Sequence, residues 1–227
     1  MRVAVRTRPL SNKENGNGEK SIININDEGS QLVITDPQNK EEHNFAFDIL
    51  FNTDCLQTDL WSRIGLPIMD KAFAGFNGTI FAYGQTGSGK TWSMQGATGD
   101  SELCGIIPRM NQNLFMRIAE NKANSPTTAF LVTVSYFELY NEVIFDLLDN
   151  SDRRRRPKGG LEIKEHPALG VYVKGLQEIV VDTEAMLQNI IDKGMASRTV
   201  ASTAMNADSS RSHSVFVIKI HQKDDVE

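Results

Sequence analysis

A glycine-rich segment at residues 84–91 carries side chains whose types and spacing are typical of phosphate binding. It reads GQTGSGKT and fits the pattern G-x-x-x-x-G-K-[ST]. Glycines let the backbone adopt positive φ angles, so its N–H groups can turn inward around phosphate oxygens. The Lys90 ammonium can reach the outer phosphates of a nucleotide, and the Thr91 hydroxyl can bind Mg²⁺. The segment therefore predicts a nucleotide site.

A phosphate loop does not by itself identify the reaction, because nucleotide kinases, GTPase switches, helicases and motors share it. The alternative of a glycine turn that binds no ligand is disfavoured by the context. An apolar, strand-like run precedes the loop and a helix-forming run follows it. The residues that sense the γ-phosphate have to distinguish the remaining classes.

A second polar cluster, NADSSRSH, occupies residues 206–213 between a predicted helix and a predicted strand. Its Ser hydroxyls can bind a Mg²⁺-bound water and the γ-phosphate of a nucleotide. Arg211 can form an ion pair that closes a site only when that phosphate is present. The sequence leaves open the alternative of a polar loop whose serines bond local backbone groups.

The elements before the phosphate loop follow from short patterns. RVAVR alternates and stops before Pro9, which predicts a strand, and residues 12–20 are polar and predict a loop. SIININ and QLVIT flank DEGS and predict a hairpin. A helix should be capped at Thr53 or Asp54 and kinked at Pro67. TIFAYG is short and apolar throughout, which predicts a strand buried within a sheet.

The elements after the loop alternate between helices and strands. A helix should start at Lys90 and resume at Pro108, and another should be capped at Asp182 or Thr183. NEVIFDLLD predicts a short helix. The predicted strands are AFLVTVSYFELY, LEIKEH, GVYVKGLQEIVV and SVFVIKIHQ. This alternation indicates an α/β layered domain.

Composition excludes several function classes. The 227 residues carry 24 Lys plus Arg against 29 Asp plus Glu, a net charge of −5. That balance argues against indiscriminate binding to nucleic acid or acidic membranes. Cys55 and Cys104 have no metal-ligand or redox spacing, and no window approaches a membrane span or a signal core. We expect a cytosolic protein with no nucleic-acid partner and no direct membrane insertion.

Several of these motifs resemble one family. NADSSRSH resembles the kinesin switch I signature, FAYGQTGSGKTWSM the kinesin phosphate loop, and RTRP at residues 6–9 the adenine-side R-x-R-P of kinesins. GIIPR, VSYFELYNEVIFDLL and ASRTVASTAMN occur in kinesin order and spacing, as far as about Gln222. The resemblance implies a three-layer α/β P-loop NTPase fold, with a mixed central sheet and helices on both faces. It implies that residues 1–227 are part of one motor domain.

The resemblance also implies roles for individual residues. Arg6, Arg8 and Pro9 would lie at the adenine of ATP or ADP, with Trp92 stacked on it where the family more often has Tyr or His. Ordinary helix packing is the alternative for Trp92. The implied phosphate ligands are Gln85, Thr86, Gly87, Ser88, Gly89, Lys90 and Thr91. The implied catalytic residues are Asn206, Ser209, Ser210 and Arg211, and the implied Mg²⁺ ligands are Thr91 and Ser210.

Residues 163–176 resemble the loop and hairpin that kinesins place against tubulin, which makes microtubules the expected partner. The amino-acid sequence of this segment most resembles that of the third kinesin subfamily, which transports vesicles. The four arginines at residues 153–156 precede them, and a basic loop there could speed association with acidic tubulin. The alternative is a solvated loop without a partner. The expected location is the cytoplasm and its cytoskeleton.

The kinesin switch II motif D-L-A-G-S-E is absent from these residues. We therefore expect a motor domain without its C-terminal third, in which TIFAYG has unpaired backbone groups and uncovered side chains. The intact protein would couple ATP hydrolysis to microtubule binding and movement. A non-motile nucleotide-binding or scaffold protein derived from a kinesin is the alternative, and an unrelated P-loop phosphotransferase is a third. Cargo, oligomeric state and direction of movement are not specified.

Overall fold

The computed structural model describes residues 1–26, 31–97, 99–149, 159–167, 170–204 and 212–224. Contacts divide the chain into two compact units. The first contains Met1–Ile68 and Thr79–Ile107, and the second contains Met69–Gly78 and Pro108–Glu227. The interpretation of residues 1–227 as part of a single domain stays a prediction. No helix in the described ranges is both long and apolar enough to cross a membrane.

The first unit contains two small sheets. Strand β1 (Ala4–Arg6) pairs in parallel with β5 (Ile49–Phe51), whose three apolar side chains are all buried. This confirms the strand predicted from RVAVR. Strands β2 (Ile23–Ile25), β3 (Gln31–Thr35) and β4 (Glu42–Ala46) form an antiparallel sheet, which confirms the predicted hairpin. The sequence did not indicate β4, because its five residues are all exposed and show no apolar alternation.

The prediction of a loop over residues 12–20 is wrong, because helix α1 (Asn12–Gly16) forms there. The Ser11 hydroxyl accepts a hydrogen bond from the backbone N–H of Glu14 (3.2 Å). The Glu14 carboxylate accepts one in return from the N–H of Ser11 (2.6 Å). This reciprocal capping box satisfies backbone donors at the start of the helix. Hydrophobic periodicity missed α1 because none of its residues is buried.

The next helix starts later than predicted and is interrupted before Pro67. Helix α2 (Gln57–Leu60) begins after Leu56, whose N–H donates to the Asp59 carboxylate (2.9 Å), so the cap is neither Thr53 nor Asp54. A π-helical turn (Trp61–Gly65) then leads into α3 (Leu66–Phe73). The turn immediately before Pro67 is therefore widened, and the kink at the proline stays a prediction.

The prediction of a buried TIFAYG strand is wrong. Residues 76–84 have no regular secondary structure, and Phe81 and Tyr83 are 74% and 93% exposed. A strand requires a partner for its backbone groups, and no strand in the described ranges pairs with this segment. The expectation that its apolar side chains are uncovered agrees with these exposures.

The second unit is built on a long antiparallel sheet. Strand β6 (Thr128–Tyr140) pairs with β11 (His213–Asp224) on one side and with β10 (Ile179–Val181) on the other. Strand β7 (Val143–Asp146) folds back on the end of β6. The prediction of a short helix from NEVIFDLLD is therefore wrong. Asn141 and Glu142 have φ angles of 48° and 62°, the left-handed geometry of a tight hairpin turn.

The second unit also contains one long helix and most of another, which belongs to it from Pro108 onward. Helix α5 (Ile106–Asn124) begins two residues before the predicted Pro108. Helix α6 (Glu184–Ala204) lies against β6 and β10, and the Thr183 hydroxyl caps it by accepting from the N–H of Met186 (3.2 Å). Leu114, Val134 and Leu187, which lie on α5, β6 and α6, are almost completely buried. A separate hairpin consists of β8 (Glu162–His166) and β9 (Gly170–Lys174).

Candidate functional site

The glycine-rich loop lies in the first unit and leads directly into helix α4 (Lys90–Met94). Gly87 and Gly89 have φ angles of 82° and 97°, in the left-handed region that favours glycine. The Lys90 ammonium donates to the backbone oxygens of Gly84 (2.6 Å) and Gln85 (2.9 Å). The positive charge of Lys90 is therefore held at the start of the loop, by Gly84 and Gln85.

The loop presents unused backbone donors beside this ammonium. The N–H of Ser88 donates to the oxygen of Gln85 (3.2 Å). Within the described ranges, the N–H groups of Gly87, Gly89 and Lys90 donate to no protein acceptor. Several backbone donors and one cation are the donor set that suits a phosphate group. The residues present therefore fit a bound nucleotide phosphate.

Thr91 and Trp92 occupy the first turn of α4, and both are exposed. The Thr91 hydroxyl is therefore accessible to an ion bound at the phosphates. Trp92 is 41% exposed, whereas Trp61, the other tryptophan, is 9% exposed. An aromatic ring open to solvent next to a phosphate loop offers a face on which a base can stack.

Arg6 and Arg8 bind different kinds of group. The Arg6 guanidinium donates to Gln57 Oε1 (2.9 Å), Ser93 Oγ (3.2 Å) and the Cys55 backbone oxygen (3.2 Å). Its three acceptors are neutral and belong to the protein. Arg8 instead forms a bidentate ion pair with Glu14 (2.7 and 2.6 Å) and donates to the backbone oxygen of the next residue, Pro9 (2.9 Å).

The Arg8–Glu14 pair changes the acidity of both groups. The hydrogen bonds from the Arg8 guanidinium and from Ser11 hold the pKa of the Glu14 carboxyl well below its usual range. The same pair raises the pKa of Arg8. Each charge therefore stabilises the ionised form of the other, and the positive charge of Arg8 is largely offset by its partner.

Gln57 is a residue of this site that sequence reasoning missed. Its side chain is 3% exposed, accepts from Arg6, and donates through Nε2 to the backbone oxygens of Trp92 (2.8 Å) and Leu103 (3.2 Å). Leu103 belongs to the loop at 96–105, which closes through a bridge between Gly96 and Cys104. No motif marks Gln57. Its role arises from contacts 35 to 51 residues away in the sequence.

Residues 206–211 of the second predicted cluster lie outside the described residues. This applies to Asn206, Ser209, Ser210 and Arg211, and also to the four arginines at residues 153–156. Within the described residues, no group of three or more His, Cys, Asp or Glu side chains could hold a metal ion. Of the two predicted Mg²⁺ ligands, Thr91 is therefore the one whose position is known.

Ser212, the first described residue of the second cluster, is held by hydrogen bonds from Arg198. Arg198 of α6 donates through Nη2 to the backbone oxygen and to the hydroxyl of Ser212 (both 3.2 Å). Its Nε donates to Glu138 of β6 (3.1 Å), whose side chain is almost completely buried. The second unit therefore fixes the point from which β11 starts.

Comparison with known proteins identifies the family. The family model described as the kinesin motor domain matches residues 6–227. The chain belongs to the kinesin motor domain family. A solved structure of a fast kinesin superposes with a TM-score of 0.88 and 36% identity, covering 99% of this chain and 60% of that one. The predicted kinesin resemblance and α/β P-loop fold are confirmed.

Curated relatives agree along almost the whole chain. Kinesin-related protein 3 of Dictyostelium discoideum is 39% identical over 226 residues, which are 98% of this chain and 18% of that protein. Kinesin-like protein KIF3C of Mus musculus is 38% identical over 97% of this chain and 27% of its own length. Kinesin-like protein klp-20 of Caenorhabditis elegans is 40% identical over 97% and 33%. This kinesin chain thus spans a third or less of these relatives, and its subfamily stays a prediction.

Proposed function

We propose that residues 84–92 bind Mg²⁺-ATP and Mg²⁺-ADP, and that the whole protein couples ATP hydrolysis to microtubule binding and movement on the cytoskeleton. The observation that carries the proposal is the phosphate loop itself, in a chain of the kinesin family. The Lys90 ammonium lies 2.6 Å and 2.9 Å from two carbonyl oxygens of the loop, whose N–H groups at Gly87 and Gly89 find no acceptor among the residues that the structure describes.

Each part of the loop has a distinct proposed task. The N–H groups of Gly87 and Gly89 donate to phosphate oxygens, and Lys90 exchanges its carbonyl contacts for the outer phosphates. Thr91, with Ser210, holds the Mg²⁺ ion, which would neutralise charge on the β- and γ-phosphates. Trp92 supplies the stacking face for the base.

The residues beyond the described part complete the proposal by family resemblance. Ser209 and Ser210 would position Mg²⁺ and the attacking water, and Asn206 belongs to the same implied catalytic segment. Arg211 would stabilise the closed site through an ion pair with an acidic partner. Arg198 supports this reading from the described side, because it holds Ser212 through two hydrogen bonds immediately after that segment.

The microtubule contact is proposed for the β8–β9 hairpin. The register places Glu162 opposite Lys174 and Lys164 opposite Tyr172, so these four exposed side chains share one face. Lys164 and Lys174 make this face net positive, which favours the acidic surface expected of tubulin. The arginines at residues 153–156 would add to the same field. A solved relative is described in terms of interactions with microtubules.

Nucleotide binding is tested with the variant Lys90→Ala. We expect the Kd for Mg²⁺-ADP, measured by isothermal titration calorimetry, to rise about tenfold to a hundredfold. The variant removes a charge-assisted contact to a phosphate, and such contacts contribute about 1.5–3 kcal/mol. Lys20→Ala, at an exposed lysine of the same unit, is the matched control and should leave the Kd unchanged. Equal affinities for the wild-type chain and Lys90→Ala would contradict the proposal.

A further inference from the structure

The side chain of Gln57 is the junction of several segments of the first unit. It is 3% exposed, and both ends of its carboxamide are used. Oε1 accepts from Arg6 at the end of β1, while Nε2 donates to two backbone oxygens, those of Trp92 in α4 and Leu103 in the loop at 96–105. We call Arg6 and Gln57, with these acceptors and the Ser93 hydroxyl, the Arg6–Gln57 clamp.

Burial makes the Arg6–Gln57 clamp specific for glutamine. A buried amide must satisfy its donors and its acceptor, since an unpaired buried polar group costs more than its hydrogen bond contributes. An acidic side chain would still accept from Arg6 but could donate to neither carbonyl oxygen. An aliphatic side chain of similar size would remove the bond from Arg6 and both bonds to the carbonyl oxygens.

The contacts act on the part of the site that meets the base. One acceptor is the backbone oxygen of Trp92 itself (2.8 Å), and Arg6 also donates to the hydroxyl of the next residue, Ser93 (3.2 Å). Both bonds hold the turn of α4 that carries the exposed indole. The phosphate-binding groups, by contrast, are held within residues 84–91 by the contacts of Lys90 and Ser88.

We propose that Gln57 is a positioning residue for the nucleotide base: through the Arg6–Gln57 clamp it fixes the indole of Trp92 in the orientation in which a base stacks on it. The inference rests on the proposed nucleotide site and deepens it. Stacking depends on the relative orientation of two ring planes, so a loosened α4 loses base affinity first. The contribution of the phosphates remains, because the side-chain hydrogen bonds of Gln57 in the described part of the chain join it to Arg6, Trp92 and Leu103, outside residues 84–91.

The test compares a ligand with a base and one without. The Kd values of Mg²⁺-ADP and Mg²⁺-pyrophosphate are measured for the wild-type chain, Gln57→Leu, Gln57→Glu and Ser93→Ala. Gln38→Leu is the matched control, because Gln38 is exposed in the turn between β3 and β4 of the same unit. The ratio of the two Kd values reports the contribution of the base alone.

We expect both Gln57 variants to weaken ADP binding about tenfold while the Kd of pyrophosphate changes less than about twofold. Ser93→Ala, which removes one bond of the clamp at a half-buried position, should weaken ADP binding about twofold to threefold. Gln38→Leu should match the wild type. Gln57→Glu separates the two halves of the clamp, because it keeps the acceptor for Arg6 and loses the donor to Trp92.

Acrylamide quenching of tryptophan fluorescence supplies a second readout. Trp92 is the more exposed of the two tryptophans, so it dominates the quenching. ADP should protect the wild-type chain from acrylamide. That protection should be reduced in the Gln57 variants even at ADP concentrations that saturate the site. A purely structural role of Gln57 would lower the melting temperature without changing protection at saturation.

The outcomes separate the inference from the proposed function. If the wild-type chain binds neither ADP nor pyrophosphate, the proposed function fails and the inference fails with it. If the wild-type chain binds both, and the Gln57 variants keep the wild-type ratio of Kd values, only the inference is overturned. Should both Gln57 variants fail to show a cooperative thermal transition, Ser93→Ala decides, and an unchanged ratio there overturns the inference.

Discussion

Arg6 and Arg8 show how two residues of one type acquire different tasks over a distance of two positions. Arg6 is half-buried and donates to three neutral oxygens of two other segments, so its charge remains available to an anion bound nearby. Arg8 faces the Glu14 carboxylate, which offsets its charge. We infer that Arg6 contributes electrostatically to nucleotide binding and that Arg8 mainly secures the start of α1.

The Glu14 carboxyl of the Arg8–Glu14 pair should make the stability of the chain depend on pH. Its folded-state pKa lies below the unfolded value of about 4.3, so the pair stabilises the folded chain above that pH. The stabilisation is lost as the pH falls from there through the lower folded-state pKa. The variant Glu14→Gln removes the charge and keeps a side chain suited to the capping box. We expect the wild type to melt at a slightly higher temperature at pH 6, and the difference to shrink below about pH 4.5.

Thermal unfolding followed by circular dichroism between pH 2 and pH 7 measures this difference. Glu42→Gln, at an exposed acid of β4, is the control for removing one negative charge from the same unit. A difference between the wild type and Glu14→Gln that grows as the pH falls would have the opposite sign and would refute the assignment.

The residues of the candidate site differ in how far the sequence could predict them. The sequence motif pointed to Gly87, Gly89 and Lys90 because a phosphate loop is built from consecutive residues. One short pattern therefore identifies all of them. Gln57 was not found because the role proposed for it depends on tertiary contacts with β1, α4 and the loop at 96–105. The same holds for the division of labour between Arg6 and Arg8, which depends on Glu14.

At the scale of elements, the packing of α6 on β6 depends on the absence of a side chain at Gly194. A Cβ placed there would lie 2.2 Å from Cδ1 of Tyr136, closer than atoms can approach. Tyr136 has little room to move, since it is buried in β6 and packs edge to face on Phe216 of β11, with 5.4 Å between ring centroids. The glycine lets the helix lie directly over the sheet.

The variant Gly194→Ala should therefore destabilise the chain, although alanine favours helix formation. Overpacking typically costs about 1–3 kcal/mol, which exceeds the gain in helix propensity of about 1 kcal/mol. The free energy of unfolding from urea titration measures the net loss. Gly16→Ala on α1 is the matched control, because a Cβ there has open space and the substitution should be neutral or slightly stabilising. Equal stability of Gly194→Ala and the wild type would contradict the close fit.

The mistaken element predictions share a physical cause. The helix predicted from NEVIFDLLD is a strand because β7 can pair with β6 through a turn at Asn141 and Glu142, and pairing overrides the local pattern. The TIFAYG strand fails for the opposite reason, since nothing in the described ranges pairs with it. Long patterns such as β6 and α6 were predicted correctly, because many consecutive residues agree with one period.

At the scale of the whole molecule, the chain covers 60% of the solved kinesin to which it is similar. Its exposed apolar side chains include Phe76, Phe81 and Tyr83, which lie in the segment leading into the phosphate loop. Three large rings in one exposed segment are unusual for a folded surface and are typical of a surface that further chain or a partner covers.

We therefore expect these residues to bind a nucleotide but to hydrolyse it poorly. Phosphoryl transfer requires groups that position the water and stabilise charge on both sides of the γ-phosphate. By family resemblance Arg211 acts with a glutamate of D-L-A-G-S-E, which these residues do not contain. We expect the 227 residues alone to hydrolyse ATP at least about a hundredfold more slowly than an intact kinesin motor domain, without stimulation by microtubules.

Steady-state phosphate release with and without microtubules measures this rate. The variant Lys90→Ala gives the background, and an intact kinesin motor domain is assayed alongside. Microtubule-stimulated turnover above that background would show that the groups present in these residues suffice for catalysis.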